Sequence, residues 1–356
     1  MGMQRGAAAL AGVLFLVAAR PEPVCKIPVF RFALERWASA PYVALVFHKG
    51  PLSEADSKIL DEARRSSANL AIEKVEVGGR MDPSVKKVWE AQQANPLPWV
   101  ALLPPGSDDA PTWTGRLEAA TFRALVDSPA RQEVVRRIMS GESAVWLLID
   151  SGEKPKDDAA AAMLAAELPR LEKSIQLPTL GEDDPPLRSK VPLKLKFSTL
   201  RLSRTDPAER GFVEILLRGY RGPTGPVVVP VIGRGRAVWA LAGDALKADA
   251  VADLAEFVTG SCSCEVKELN PGFDLLVSAD WEALLDLGGP AEPPLQIPAP
   301  VLPPPRPREP EPAPLPKEES PPPLPRIWLW TGFLGAVAMV LITGWNVRNA
   351  FRKPAR

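Results

Sequence analysis

The carboxyl-terminal end of the chain decides most of its topology. Residues 327–347 read IWLWTGFLGAVAMVLITGWNV, an uncharged and mostly apolar run. About 20 such residues are what one helix needs to cross a bilayer. Trp328, Trp330 and Trp345 stand near its two ends, where aromatic belts form. Arg348, Arg352, Lys353 and Arg356 follow, and the positive-inside rule puts that tail in the cytoplasm. The bulk of the chain is therefore expected outside the cytoplasmic membrane, held there by one pass. The amino terminus agrees. Arg5 precedes an apolar core of roughly 12 residues and a small-residue exit at Ala18-Ala19, the pattern of a secretory signal. Residues 1–19 are expected to be removed.

Proline draws the next boundary. Of 41 prolines, 17 lie between positions 290 and 325, which marks residues 288–326 as a linker. Fully extended as polyproline II, its proline-rich stretch from 290 to 325 spans about 110 Å. Hydrophobic residues make up 46% of the chain, enough for real cores in what precedes the linker. The 43 basic side chains balance the 43 acidic ones, so no nucleic-acid partner is implied. The single histidine, His48, disfavours a His-rich metal site and Ser-His-Asp hydrolysis. No phosphate-cradling loop, zinc-protease helix or nucleophile elbow occurs. No cofactor or metal is expected.

Ahead of the linker, one order of elements occurs twice. After a short apolar helix at residues 28–37, residues 42–48 (YVALVFH) read as a strand. A helix follows from Pro51, with Ser53 as its N-cap and Asp56 three residues on. Residues 71–77 alternate as a strand, 83–94 are helical, 99–103 (WVALL) and 111–115 are strands, and 119–139 is helical with a break at Pro129. From 143 the series repeats: strand 144–150, helix 157–175, strand 193–202, helix 207–218 capped by Asp206, strands 227–232 and 236–241, helix 248–258. Each unit reads β-α-β-α-β-β-α, a parallel core with an antiparallel edge.

The order resembles the thioredoxin-like fold. In that family a Cys-x-x-Cys follows the first core strand, and a proline, usually in a cis bond, faces it from before the third. Here Lys49-Gly50-Pro51-Leu52 and Ser151-Gly152-Glu153 stand where the cysteines would be, while Pro98 and Pro226 occupy the proline position. Without a low-pKa thiolate at that helix start, the resemblance implies redox-inert units. It also implies that the faces at Pro98, Trp99 and Pro226 receive extended peptides, with His48 beside the first of them. The segments PVFRFALERW, VFHKGPLS and GSCSCEVKELNPGFDLL are similar to those of membrane-anchored proteins of planctomycete-type bacteria, a similarity that implies no activity.

The cysteines are the sharpest remaining signal. Cys262 and Cys264, one residue apart, admit three readings. They could form a strained, oxidising disulfide, bind a soft metal, or bond Cys25 as a staple. The staple is the reading adopted, with Cys25, Cys262 and Cys264 as its candidates. The metal reading is set aside for want of further ligands. Residues 274–285 are expected to cap the second unit. Arg201, Arg204, Arg218, Arg221, Arg234 and Arg236 read as solvated, with an anion-facing patch as the alternative.

The whole is α/β: two tandem thioredoxin-like domains, a proline-rich stalk and a single C-terminal transmembrane helix. The boundaries are 1–19 signal, 20–141 first domain with its leading helix, 142–287 second domain with the Cys-x-Cys tail, 288–326 linker, 327–347 span and 348–356 cytoplasmic tail. The expected role is an extracytoplasmic binding or scaffold protein, meeting the lipid bilayer through 327–347 and partnering a membrane complex such as a transporter, or an extended peptide. The alternative is an envelope thiol-disulfide oxidoreductase or isomerase using Cys262 and Cys264. Amino-terminal sequencing of the secreted, mature chain should begin at Arg20; a sequence beginning at Met1 would show that the first apolar segment is retained.

Overall fold

A computed structural model describes residues 25–287, except 93, 108, 219–224 and 263–265. The signal, linker, span and tail expected at 1–19, 288–326, 327–347 and 348–356 lie outside those residues. Among the described residues no helix is long and apolar enough to cross a membrane.

The elements follow the expected order. They are α1 (Val29–Arg36), β1 (Tyr42–His48), α2 (Glu54–Arg64), β2 (Leu70–Glu76), α3 (Pro83–Glu90), β3 (Trp99–Leu103), β4 (Trp113–Arg116), α4 (Ala119–Val126) and α5 (Pro129–Met139). The second series is β5 (Ala144–Ile149), α6 (Lys154–Ser174), β6 (Phe197–Leu202), α7 (Arg210–Leu216), β7 (Val227–Ile232), β8 (Arg236–Ala237), β9 (Leu241–Ala242) and α8 (Ala248–Thr259). It ends in β10 (Phe273–Asp274) and α9 (Trp281–Leu285). The first sheet runs β2-β1-β3-β4 and the second β10-β8-β7-β5-β6, with β9 also on β7. In each, the first two strands are parallel and the third is antiparallel to the first. Two mixed sheets with this shared order are consistent with tandem thioredoxin-like units.

The departures are local and have causes. Residues 207–209 do not start α7, because Asp206 accepts from the Ala208 amide and the Ser203 and Thr205 hydroxyls bond one another, holding a turn instead. The strand expected from 193 begins at Phe197. Ahead of it the Ser143 hydroxyl donates to the Lys194 carbonyl and accepts from the Lys196 amide in place of a ladder. The expected 236–241 strand is split. Val231 faces Ala237 but Val227 faces Ala242, so one extra residue bulges out around Trp239, which is 59% exposed.

Packing follows from strand alternation. In β5, Val145, Leu147 and Ile149 face one core, and Ala144, Trp146 and Leu148 face another. The first core is shared. It joins Ala44, Val46, Val100 and Leu102 of one sheet to Val227, Val229 and Val231 of the other, through α2, α4, α5 and α7. A smaller core under α3 holds Leu45, Phe47, Ala101 and Leu103.

Both ends of the described chain cross over. Although α1 leads into the first sheet, it packs on the second, where Val29, Phe30, Phe32 and Ala33 join α6 and α8 in one core. Its entry strand bridges the second unit, with Pro28 opposite Ser261 and the Cys262 amide donating to Ile27. In return, residues 275–285 do not simply cap the second unit as expected. Leu275, Leu276, Val277 and Trp281 join the shared core, and Asn69 beside β2 bonds the Leu275 carbonyl and the Val277 amide.

The α1 arm carries a buried ion pair. Arg31 and Glu35, 1% and 0% exposed, meet at 2.8 Å. Glu35 also accepts from the Arg188 and Ser189 amides and the Ser189 hydroxyl, and Arg31 donates to the Ser189 carbonyl. The polar loop 176–190 is thereby fastened over the helix. Glu35→Ala leaves the Arg31 charge buried and should cost about 3–5 kcal/mol in denaturant unfolding. The double change Arg31→Met, Glu35→Met should recover part of that. A loss within the noise for Glu35→Ala would show that the pair does not anchor the arm.

Candidate functional site

Register identifies two matching corners. Phe47 faces Trp99 at the end of the β1–β3 ladder, so the next positions set Pro98 against His48 and Leu97 against Lys49. Ile149 faces Val227 at the end of the β5–β7 ladder, so Pro226 stands against Asp150 and Gly225 against Ser151. The equivalence of Pro98 and Pro226 read from the sequence thus holds in the strand geometry. The Leu97–Pro98 bond is cis, and the Gly225–Pro226 bond is not.

At the first corner, His48 Nδ1 lies 2.8 Å from the Gly50 carbonyl and 3.3 Å from Glu76 Oε2. Both partners are acceptors, so the neutral ring carries its proton on Nδ1 and leaves Nε2 bare. Glu76 Oε1 accepts from the Gly50 amide, and Gly50 takes a φ of +68°, which a glycine adopts without strain. The α2 start is already served: the Ser53 hydroxyl accepts from the Asp56 amide and donates to its carboxylate. No thiol stands among these groups, and the Ser53 hydroxyl is spent on the helix cap. The Pro98 carbonyl accepts from Leu117, while the Leu97 amide and carbonyl make no hydrogen bond among the described residues. Trp99 is half-buried and its indole N–H is buried without a partner.

At the second corner, Asp157 organises the α6 start. Its carboxylate accepts from the Ser151 amide and hydroxyl and from the Gly152 amide, at 2.7–3.0 Å. Burial raises the Asp157 pKa, but these donors and the Arg201 charge outweigh it and hold the carboxyl below its ordinary value. Arg201 bridges Asp150 and Asp158. Arg204 donates through Nη2 to the Gly225 carbonyl at 2.9 Å. A cavity of about 320 Å³ opens here, lined by Asp150, Ser151, Lys154, Asp158, Arg201 and Arg204 among others. Three acidic side chains (Asp150, Asp157, Asp158) and three basic ones (Lys154, Arg201, Arg204) line it, so its formal charge is zero.

The cysteines are elsewhere. Cys262 is 1% exposed, inside the core that α1 shares with α6 and α8, and Cys25 lies half-buried at the edge of the same core as a free thiol. The two are therefore not bonded to each other. Cys264 lies outside the described residues. Among the described residues no cluster of three His, Cys, Asp or Glu side chains could hold a metal.

Sequence reasoning misjudged two of its arginines. Arg234 and Arg236 are neither solvated nor part of a patch. Both are buried. Arg234 bonds the Leu34 carbonyl and Glu282. Arg236 collects the carbonyls of Lys267, Asn270, Pro271 and Gly272 and the Asp274 carboxylate, with Trp37 over its guanidinium. The basic-turn-basic spacing looked like a surface loop because the acceptors are backbone groups far along the chain. Arg131 went unnoticed. It is fully buried on the Phe212 ring, and burial pushes its guanidinium down to about 10 against the pull of Glu209.

No family model and no curated protein matches the chain. Among solved structures it is similar to full-length ERdj5, at 13% identity over 61% of this chain, with a TM-score of 0.19. The match spans 29% of that protein's length. A likeness this slight carries no argument, and the fold description rests on strand order and register.

The depressed Asp157 carboxyl makes a pH prediction. A carboxyl lowered by folding contributes stability above its unfolded pKa and loses it as pH falls through the folded one. Asp157→Asn should therefore destabilise the protein at pH 7, with the difference from wild type shrinking below about pH 4. Equal losses at pH 7 and pH 2 would mean that the charge of Asp157 is not what holds the corner.

Proposed function

We propose that the protein is a non-catalytic binding or scaffold body. In this reading residues 327–347 anchor it to the cytoplasmic membrane, and the proline-rich linker holds it outside. The observation that carries the reading is the chemistry of the two corners. Where a thioredoxin-like unit would present a thiolate, each helix start satisfies its own amides with a hydroxyl or carboxylate. A backbone edge stays open beside Pro98, where an extended peptide finds an unpaired amide and carbonyl. The enclosed Cys262 supports the same reading, because thiol-disulfide exchange needs access to the attacked sulfur.

The rigid joining of the two units suits a protein that holds a partner in a fixed geometry, and a long tether suits reach. A membrane complex such as a transporter is the partner proposed, engaged through the His48–Pro98–Trp99 face.

Insulin reduction and disulfide isomerisation by the purified protein test the reading against the redox alternative. The expected rate is that of buffer alone, in wild type and Cys262→Ser alike. Turnover that disappears in Cys262→Ser would overturn the scaffold reading. Detergent-solubilised protein should also co-purify with a membrane partner, and Leu97→Pro, which removes the open amide, should weaken that association without unfolding the chain.

A further inference from the structure

The two corners are equivalent in register but not in availability. At the first, the Leu97 amide and carbonyl make no hydrogen bond among the described residues, and Pro98 and Trp99 are half-exposed. At the second, the carbonyl of Gly225, which holds the same register position as Leu97, is already taken by Arg204. Pro226 beside it is buried. Arg204 is itself held in place by its chain neighbourhood. The turn after β6 is fixed by the Ser203–Thr205 hydroxyl pair and by Asp206 capping Ala208, and Arg201 on the strand is clamped between Asp150 and Asp158.

We infer that Arg204 is a built-in plug. Its guanidinium occupies the strand-accepting carbonyl of the second unit, so the tandem presents one backbone edge to a partner instead of two. A guanidinium suits the task. It donates in a fixed plane, keeps its charge at any physiological pH, and makes a charge-assisted bond that a neutral incoming amide displaces poorly. Arg204 also lines the cavity of about 320 Å³, together with Ser203 and Thr205 of the same turn. The inference rests on the binding reading above. It adds that the second unit acts as a support in the native chain.

Photo-crosslinking in the full-length protein separates the two claims. p-Benzoylphenylalanine is placed at Lys49, which faces Leu97, or at Thr205, which lines the cavity; both side chains are exposed. The probe is a biotinylated pool of degenerate decapeptides. With Arg204 present, labelling is expected from position 49 and not from position 205. In Arg204→Ala, and again in Arg204→Met, which keeps the apolar stem but has no donor, to guard against a folding defect in either, labelling from 205 should rise about fivefold, the worth of one net hydrogen bond. Labelling from 49 should stay unchanged. Folding is checked for each variant by its thermal melt. Labelling from 205 that is already strong in wild type, or that does not rise in two folded variants, overturns the plug while leaving the binding reading intact. Absence of labelling from 49 in every protein overturns the binding reading, and the plug with it.

Discussion

The enclosed α1 helix, and within it the Arg31–Glu35 pair, is the contact on which the rest of the structure depends. A charged pair at 1% and 0% exposure is expensive unless every remaining valence is used. Here the loop 176–190 supplies most of the partners through residues 188 and 189, while Arg31 Nε has only its 2.8 Å ion contact with Glu35. The apolar side of the same helix, Phe30 and Phe32, lies in the core of the second sheet. One short helix thus connects the start of the first unit, the sheet of the second and the long loop between α6 and β6. Without it the core that α6 and α8 form over the second sheet would lose Phe30 and Phe32, and the loop would lose its anchor.

The exchange is mutual, and that is why the two units act as one body. While the amino-terminal arm covers the second sheet, the carboxyl-terminal arm joins the core beneath the first. The seam between them is polar and fully engaged. The Asp274 carboxylate takes the Ala40 amide, Arg236 and Lys267, and its carbonyl takes the Tyr42 hydroxyl. Such a seam, with the shared core, ties the two corners to one packed body. Under the binding reading proposed above, this matters more than any single contact, because the edge and its neighbours belong to the same packed body. The corners themselves are asymmetric: the Gly225 carbonyl is taken by Arg204, while Leu97 at the same register position makes no hydrogen bond among the described residues.

Much of this was legible in the sequence. The strand periods, the break at Pro129, the Ser53 cap and the matching places of Pro98 and Pro226 all follow from local chemistry, and local chemistry is what a sequence displays. The failures share a cause. Arg234 and Arg236 were read as solvated because their acceptors are carbonyls at Leu34 and at 267–272, which no spacing rule joins to them. The destination of α1 was hidden likewise. Its apolar face announces burial, but nothing in eight residues says which sheet will bury it. The late start of α7 is different: the Ser203, Thr205 and Asp206 side chains that compete with the helix stand in plain view, and Asp206 was taken for a helix cap when it caps a turn.

The central claim, that exchanged arms weld the two sheet units into one cooperative body, is tested most directly by native-state hydrogen exchange on the full-length protein in detergent. The amides of β1 and β5, one central strand from each sheet, are followed as denaturant is raised below the unfolding transition. The account predicts that both sets converge on a single opening free energy with a single denaturant slope. Two separate openings, with one sheet exchanging while the other stays protected, would contradict it.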